Sequence, residues 1–121
     1  MKPFDTVYIL GPMTGYPDNN RPAFRRAAKQ IRAMGYNVIS PDELDQDAPA
    51  KGEAWADYLA RDIPFLLKSV AGVAIPGWRE SRGATLEATI LNALGRPVLE
   101  LIDGKLRPVP PQYLPHTVHP V

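Results

Sequence analysis

The chain has 121 residues, enough for one small domain, and its 45% hydrophobic content supplies a core. Its 14 basic and 13 acidic residues are mixed along the chain and leave a net charge of +1, which gives no case for a nucleic-acid groove or a polybasic membrane anchor. Cysteine is absent, which excludes disulfides and thiolate metal sites, and no apolar run approaches the roughly 20 residues needed to span a bilayer.

No signal-peptide pattern opens the chain, so a cytoplasmic enzyme or binding protein is the expectation. Val7-Tyr8-Ile9-Leu10 is a β-branched and aromatic run stopped by Gly11-Pro12, and reads as a buried strand. Asn20 is placed to cap a helix with Pro22 in its first turn. Phe24, Ala27, Ala28, Ile31 and Met34 recur at helical spacing, and Gly35 ends the helix. Residues 36–40 predict a second strand, and 41–53 an acidic, proline-containing loop of the kind that serves as a lid or binding loop. Trp55, Leu59, Ile63, Leu66 and Leu67 form the next helical stripe, with a kink or restart expected near Asp62 because of Pro64. The wholly apolar run 70–75 fits a parallel strand covered on both faces. Residues 82–94 predict a helix ended by Gly95, and 97–101 a fourth strand. This β-α-β-α-β-α-β order implies right-handed crossovers and a parallel sheet in one α/β domain, residues 1–103. Residues 104–121 are proline-rich and lack periodicity, and read as an extended tail.

Two islands concentrate the chemistry. Tyr8-Ile9-Leu10-Gly11-Pro12-Met13-Thr14-Gly15 and Pro76-Gly77-Trp78-Arg79-Glu80-Ser81-Arg82-Gly83-Ala84-Thr85-Leu86-Glu87 each join a strand to a glycine turn and then a helix. In open α/β sheets such turns sit at the carboxyl ends of strands, where ligands bind. Glu87 falls within the Ala84–Leu91–Leu94 stripe, in the second turn of its helix. A carboxylate on that face suits catalysis; it also suits an edge residue reaching solvent, or half of a buried ion pair. Ser81 is placed as an N-cap, leaving the N–H groups of Arg82, Gly83 and Ala84 for an anion, with Arg79 and Arg82 adding charge. An ordinary serine cap beside surface arginines fits the same residues. The Gly11–Gly15 turn is a second cradle, without the lysine of a P-loop. Asp62 sits in a buried stripe, where it also suits a cap on a restarted helix. Tyr8 suits packing with its hydroxyl tied to a polar group. Trp78 is placed to stack on a flat base, and Trp55 to fill the core. His116 and His119 have no carboxylate pattern around them to support a metal site.

Together these motifs resemble a group of small phage and bacterial proteins, a branch of the nucleoside 2-deoxyribosyltransferase superfamily. The resemblance runs from about Thr6 to Val98. It implies a flavodoxin-like three-layer sandwich on a four- to five-stranded parallel sheet, no cofactor or metal, and cleavage or exchange of an N-glycosidic bond. On the resemblance, Glu87 is the nucleophile on the anomeric carbon, Tyr8 lies beside it, and Asp62 contacts the base and aids its protonation. Six residues before the glutamate, enzymes acting on free nucleosides carry aspartate and monophosphate hydrolases carry serine. Ser81 therefore implies a (deoxy)nucleoside 5′-monophosphate. This chain departs from the group at Val70, where relatives often carry aspartate. Three other readings fit the same residues: a 2-deoxyribosyltransferase acting on free nucleosides, a nucleotide-binding protein without turnover that senses or sequesters its ligand, and a structural subunit whose proline-rich tail docks on a partner. Pro108, Pro110, Pro111, Pro115 and Pro120 stiffen that tail, and its apolar residues predict that it lies across a surface, its own or a neighbour's, in a homo-oligomer.

Overall fold

In a computed structural model, residues 1–44 and 55–116 are described. The strands are β1 (Thr6–Leu10), β2 (Asn37–Ile39), β3 (Ala71–Ala74), β4 (Val98–Ile102) and β5 (Lys105–Pro108). The helices are α1 (Arg21–Ala33), α2 (Pro41–Leu44), α3 (Trp55–Leu67) and α4 (Arg82–Ala93). The sheet order is β2-β1-β3-β4-β5, with β1 to β4 parallel and β5 antiparallel to β4. This is the expected α/β sandwich with five strands, one of them reversed.

Side chains alternate across the sheet, so β1 feeds both cores. Val7 and Ile9 join Phe24, Ala27, Ala28 and Ile31 of α1 on one face. Tyr8 and Leu10 join Leu66, Ala84, Ala88 and Leu91 of α3 and α4 on the other. Gly72 lets α4 come close to the sheet: a Cβ there would lie 2.5 Å from Leu91 and 2.6 Å from Leu10. The chain leaves β1 toward β2 on one side and returns to β3 on the other. That reversal opens a crevice above the carboxyl ends of β1 and β3.

Several local expectations change. Met34 and Leu94 follow the last helical residues and are exposed, as are Trp55 and Leu67 at the two ends of α3. Asn20 takes the N-cap position without a side-chain cap bond; its Nδ2 donates to the Pro12 carbonyl at 2.8 Å and fastens the first loop instead. Helix α3 runs through Pro64 as one element. Pro64 and Ala60 lie on its exposed side, so the carbonyl that proline leaves without a helical partner is open to solvent. Residues 41–44 are helical, and the rest of the expected acidic lid lies outside the described residues. Residues 105–108 of the expected tail form an edge strand, and Val109 and Leu114 bury in the α3–α4 core of their own chain. Among the described residues no helix is long and apolar enough to cross a membrane.

Candidate active site

The loops after β1 and β3 meet at Gly77. Its φ of +88° is costly for a side-chain-bearing residue, and a Cβ there would lie 2.8 Å from the Tyr16 hydroxyl and 3.1 Å from Pro12 Cγ. A 3-10 turn, Trp78–Glu80, then leads to α4. Ser81 caps that helix, its Oγ accepting from Ala84 N at 3.2 Å. Ala84 N–H is thus engaged, which leaves Arg82 and Gly83 as the N–H groups ahead of the first intrahelical bond, Thr85 N to Ser81 O at 2.9 Å.

A cleft of about 570 Å³ opens between these loops, α3 and the first turns of α4. Gly11, Pro12, Met13 and Thr14 line it on one side, and Gly77, Ser81, Arg82 and Gly83 on another. Asp62 and Glu87 face it from α3 and α4. Tyr8 is fully buried beside Glu87, and its hydroxyl acts on the Glu87 carboxyl. Asp62 is half-buried and accepts from Arg61 Nε at 3.0 Å. The structure therefore brings together Glu87, Asp62 and Tyr8.

Other expected site residues fall elsewhere. Gly15 is exposed and does not line the cleft. Trp78 is no platform for a base: it is 2% exposed, packs in the α3–α4 core, and donates from Nε1 to Glu100 at 3.0 Å. Arg79 stacks 4.4 Å over Trp78 and donates to the Tyr113 carbonyl at 2.9 Å, so it faces the tail. Trp55, expected in the core, lines the cleft, as do Tyr16 and Tyr58. The signal for Tyr58 was present: Trp55, Tyr58 and Asp62 are three and then four residues apart, one face of a helix. Among the described residues no group of His, Asp and Glu gathers to hold a metal. His116 Nδ1 lies 3.1 Å from the Leu114 carbonyl, and His119 lies outside the described residues.

Burial pushes the Glu87 carboxyl up from 4.5 to about 8; the Tyr8 hydrogen bond acts against the rise and the charge of Asp62 adds to it. The folded protein keeps a proton that the unfolded chain releases. Stability from this group is fully present below pH 4.5 and is lost as pH rises to about 8. The expected loss is on the order of a few kcal/mol. Thermal melts across that window check it, and a flat profile contradicts the burial of Glu87.

The layered sheet and its switch-point cleft define an α/β protein of the 2-deoxyribosyltransferase fold. The chain belongs to the family described as a domain of unknown function, DUF4406, which matches residues 5–100. Among solved structures, a 2-deoxyribosyltransferase from Bacillus psychrosaccharolyticus matches with a TM-score of 0.63 and 18% identity, over 78% of this chain and 70% of that one. A conserved protein from Enterococcus faecalis V583 matches with a TM-score of 0.60 and 23% identity, over 80% of this chain and 62% of that one. No curated protein matches the sequence.

Proposed function

We propose that the cleft binds a (deoxy)nucleoside 5′-monophosphate and that Glu87 cleaves its N-glycosidic bond. The observation that carries this is the buried Glu87 carboxyl, 7% exposed, opening on the cleft with Tyr8 behind it and Asp62 opposite. Ionised Glu87 would attack the anomeric carbon as the bond to the base breaks, through an oxocarbenium-like transition state. The base would leave with a proton, and the glycosyl ester on Glu87 would pass to water, or to a second base in exchange. Tyr8 would orient the attacking oxygen. Asp62 pairs with Arg61, so proton delivery to the base would run through an intervening water or after that pair opens. The shared fold with a 2-deoxyribosyltransferase supports this reading. Incubation with nucleosides and their 5′-monophosphates, followed by chromatography for free base, tests it. Absence of release from every compound sinks the enzymatic reading.

Binding without turnover is the second reading. One observation favours it: a carboxyl that ionises near pH 8 is mostly protonated at pH 7, and a protonated carboxyl is a poor nucleophile. Nucleotide binding with no base release would select it.

The 5′-phosphate is assigned to Ser81 and the first turn of α4, where unpaired N–H groups and the helix dipole favour an anion. Ser81→Asp preserves a good N-cap but sets a carboxylate against the phosphate. Monophosphate binding is expected to weaken by at least about a hundredfold, with nucleoside binding little changed. Equal affinities of unaltered protein for nucleoside and monophosphate remove the assignment. A homo-oligomer is also proposed, and light scattering on the full chain reads it.

A further inference from the structure

Three aromatic side chains with much of their surface exposed, Tyr16, Trp55 and Tyr58, line the cleft. Trp55 is held in an unusual way. The Arg82 guanidinium stacks on its ring, 3.7 Å from the ring centre. Trp55 Nε1 also lies 3.9 Å from where a Cβ on Gly83 would sit, so the indole rests against the first turn of α4. Arg82 thus covers a flat aromatic surface at the mouth of the cleft, in the position a stacked base would take.

The same guanidinium has a second use. It follows Ser81 directly, and a guanidinium binds phosphate through two parallel hydrogen bonds. An anion seated at Ser81 competes with the Trp55 ring for the placing of the Arg82 side chain. In water its stack is worth only about two- to fivefold in an equilibrium. A charge-assisted bond to phosphate is worth about tenfold or more.

We propose that Arg82 is the specificity-determining residue of this cleft: it covers Trp55 in the ligand-free protein, and the phosphate of a nucleoside 5′-monophosphate draws it off and opens the ring to the base. The proposal rests on the monophosphate reading above. Phosphate and base then bind cooperatively. A nucleoside alone has to displace Arg82 with nothing to receive it.

The test is calorimetric binding of a nucleoside and its 5′-monophosphate to unaltered, Arg82→Ala and Arg82→Lys protein. Arg82→Ala is expected to weaken the monophosphate by about tenfold or more, and to tighten the nucleoside by about two- to fivefold. Arg82→Lys keeps a cation for the phosphate and restores part of the monophosphate affinity. A merely structural role moves both ligands the same way; that result, or no change in either, overturns the proposal. If unaltered protein binds neither compound, the monophosphate reading fails. The cover over Trp55 has its own readout in acrylamide quenching with inorganic phosphate, against chloride at equal ionic strength. The chain has two tryptophans and Trp78 is buried, so quenching reports Trp55. Phosphate is expected to raise the quenching, and Trp55→Phe to remove the response. Unchanged quenching through the phosphate titration overturns the proposal, whatever the nucleosides do.

Discussion

Glu87→Gln is expected to lower base release by at least about a thousandfold while leaving the protein folded. Glutamine keeps the shape of the side chain and still offers the Tyr8 hydroxyl an acceptor, but it cannot form the glycosyl ester. The same variant should be more stable than the unaltered protein at pH 9, because no charge has to be buried. The gap should close toward pH 5, where Glu87 is protonated in the folded state and about as costly to bury as glutamine. A pH-independent gap assigns the gain to packing and leaves the raised pKa of Glu87 without support. If the unaltered protein turns over as proposed, kcat/KM should rise with pH along a limb near 8, where free Glu87 ionises. Turnover retained by Glu87→Gln ends the nucleophilic mechanism.

Ending the chain at Gly104 is expected to be severely destabilising. It removes β5 and the buried side chains of Val109 and Leu114, the latter two together worth about 3–6 kcal/mol. It also thins the apolar cluster that holds Trp78 and takes away the Tyr113 carbonyl that receives Arg79. The loss is a large part of the stability of a domain this size. A fall in Tm on the order of 10–25 °C follows, read by circular dichroism. Because Trp78 and Arg79 lead straight into Ser81, phosphate affinity should fall with it. A melting point within a few degrees of the full chain means the segment contributes little.

The parallel layers were legible because their core residues repeat at the helical and strand periods: Phe24, Ala27, Ala28 and Ile31 on α1, and Val7 to Leu10 on β1. Glu87 was legible for the same reason, as a charge breaking an apolar stripe. Strand β5 was not, since Leu106 is its one large apolar residue and prolines surround it. Its signal lay in the turn. Asp103-Gly104 is a pair favoured in two-residue hairpins, and both residues take positive φ, 51° and 73°. The cleft position of Trp55 shares the helical-face signal of Tyr58 and Asp62, but the burial of Trp78 had no local signal. Trp78 is held inside by Glu100, 22 residues further along, and such a partner is set by the sheet and not by nearby sequence.

The two rims of the sheet limit how copies of this chain can associate. On one rim β5 is four residues long, carries Lys105 and Arg107, and ends in Pro108, which has no N–H to offer a neighbouring strand. On the other, β2 has three residues. Neither presents the long, flat, uncharged backbone edge on which another chain extends a ladder. Among the described residues, edge-to-edge extension of the folded sheet is therefore disfavoured, which turns association of copies toward helix faces and loops.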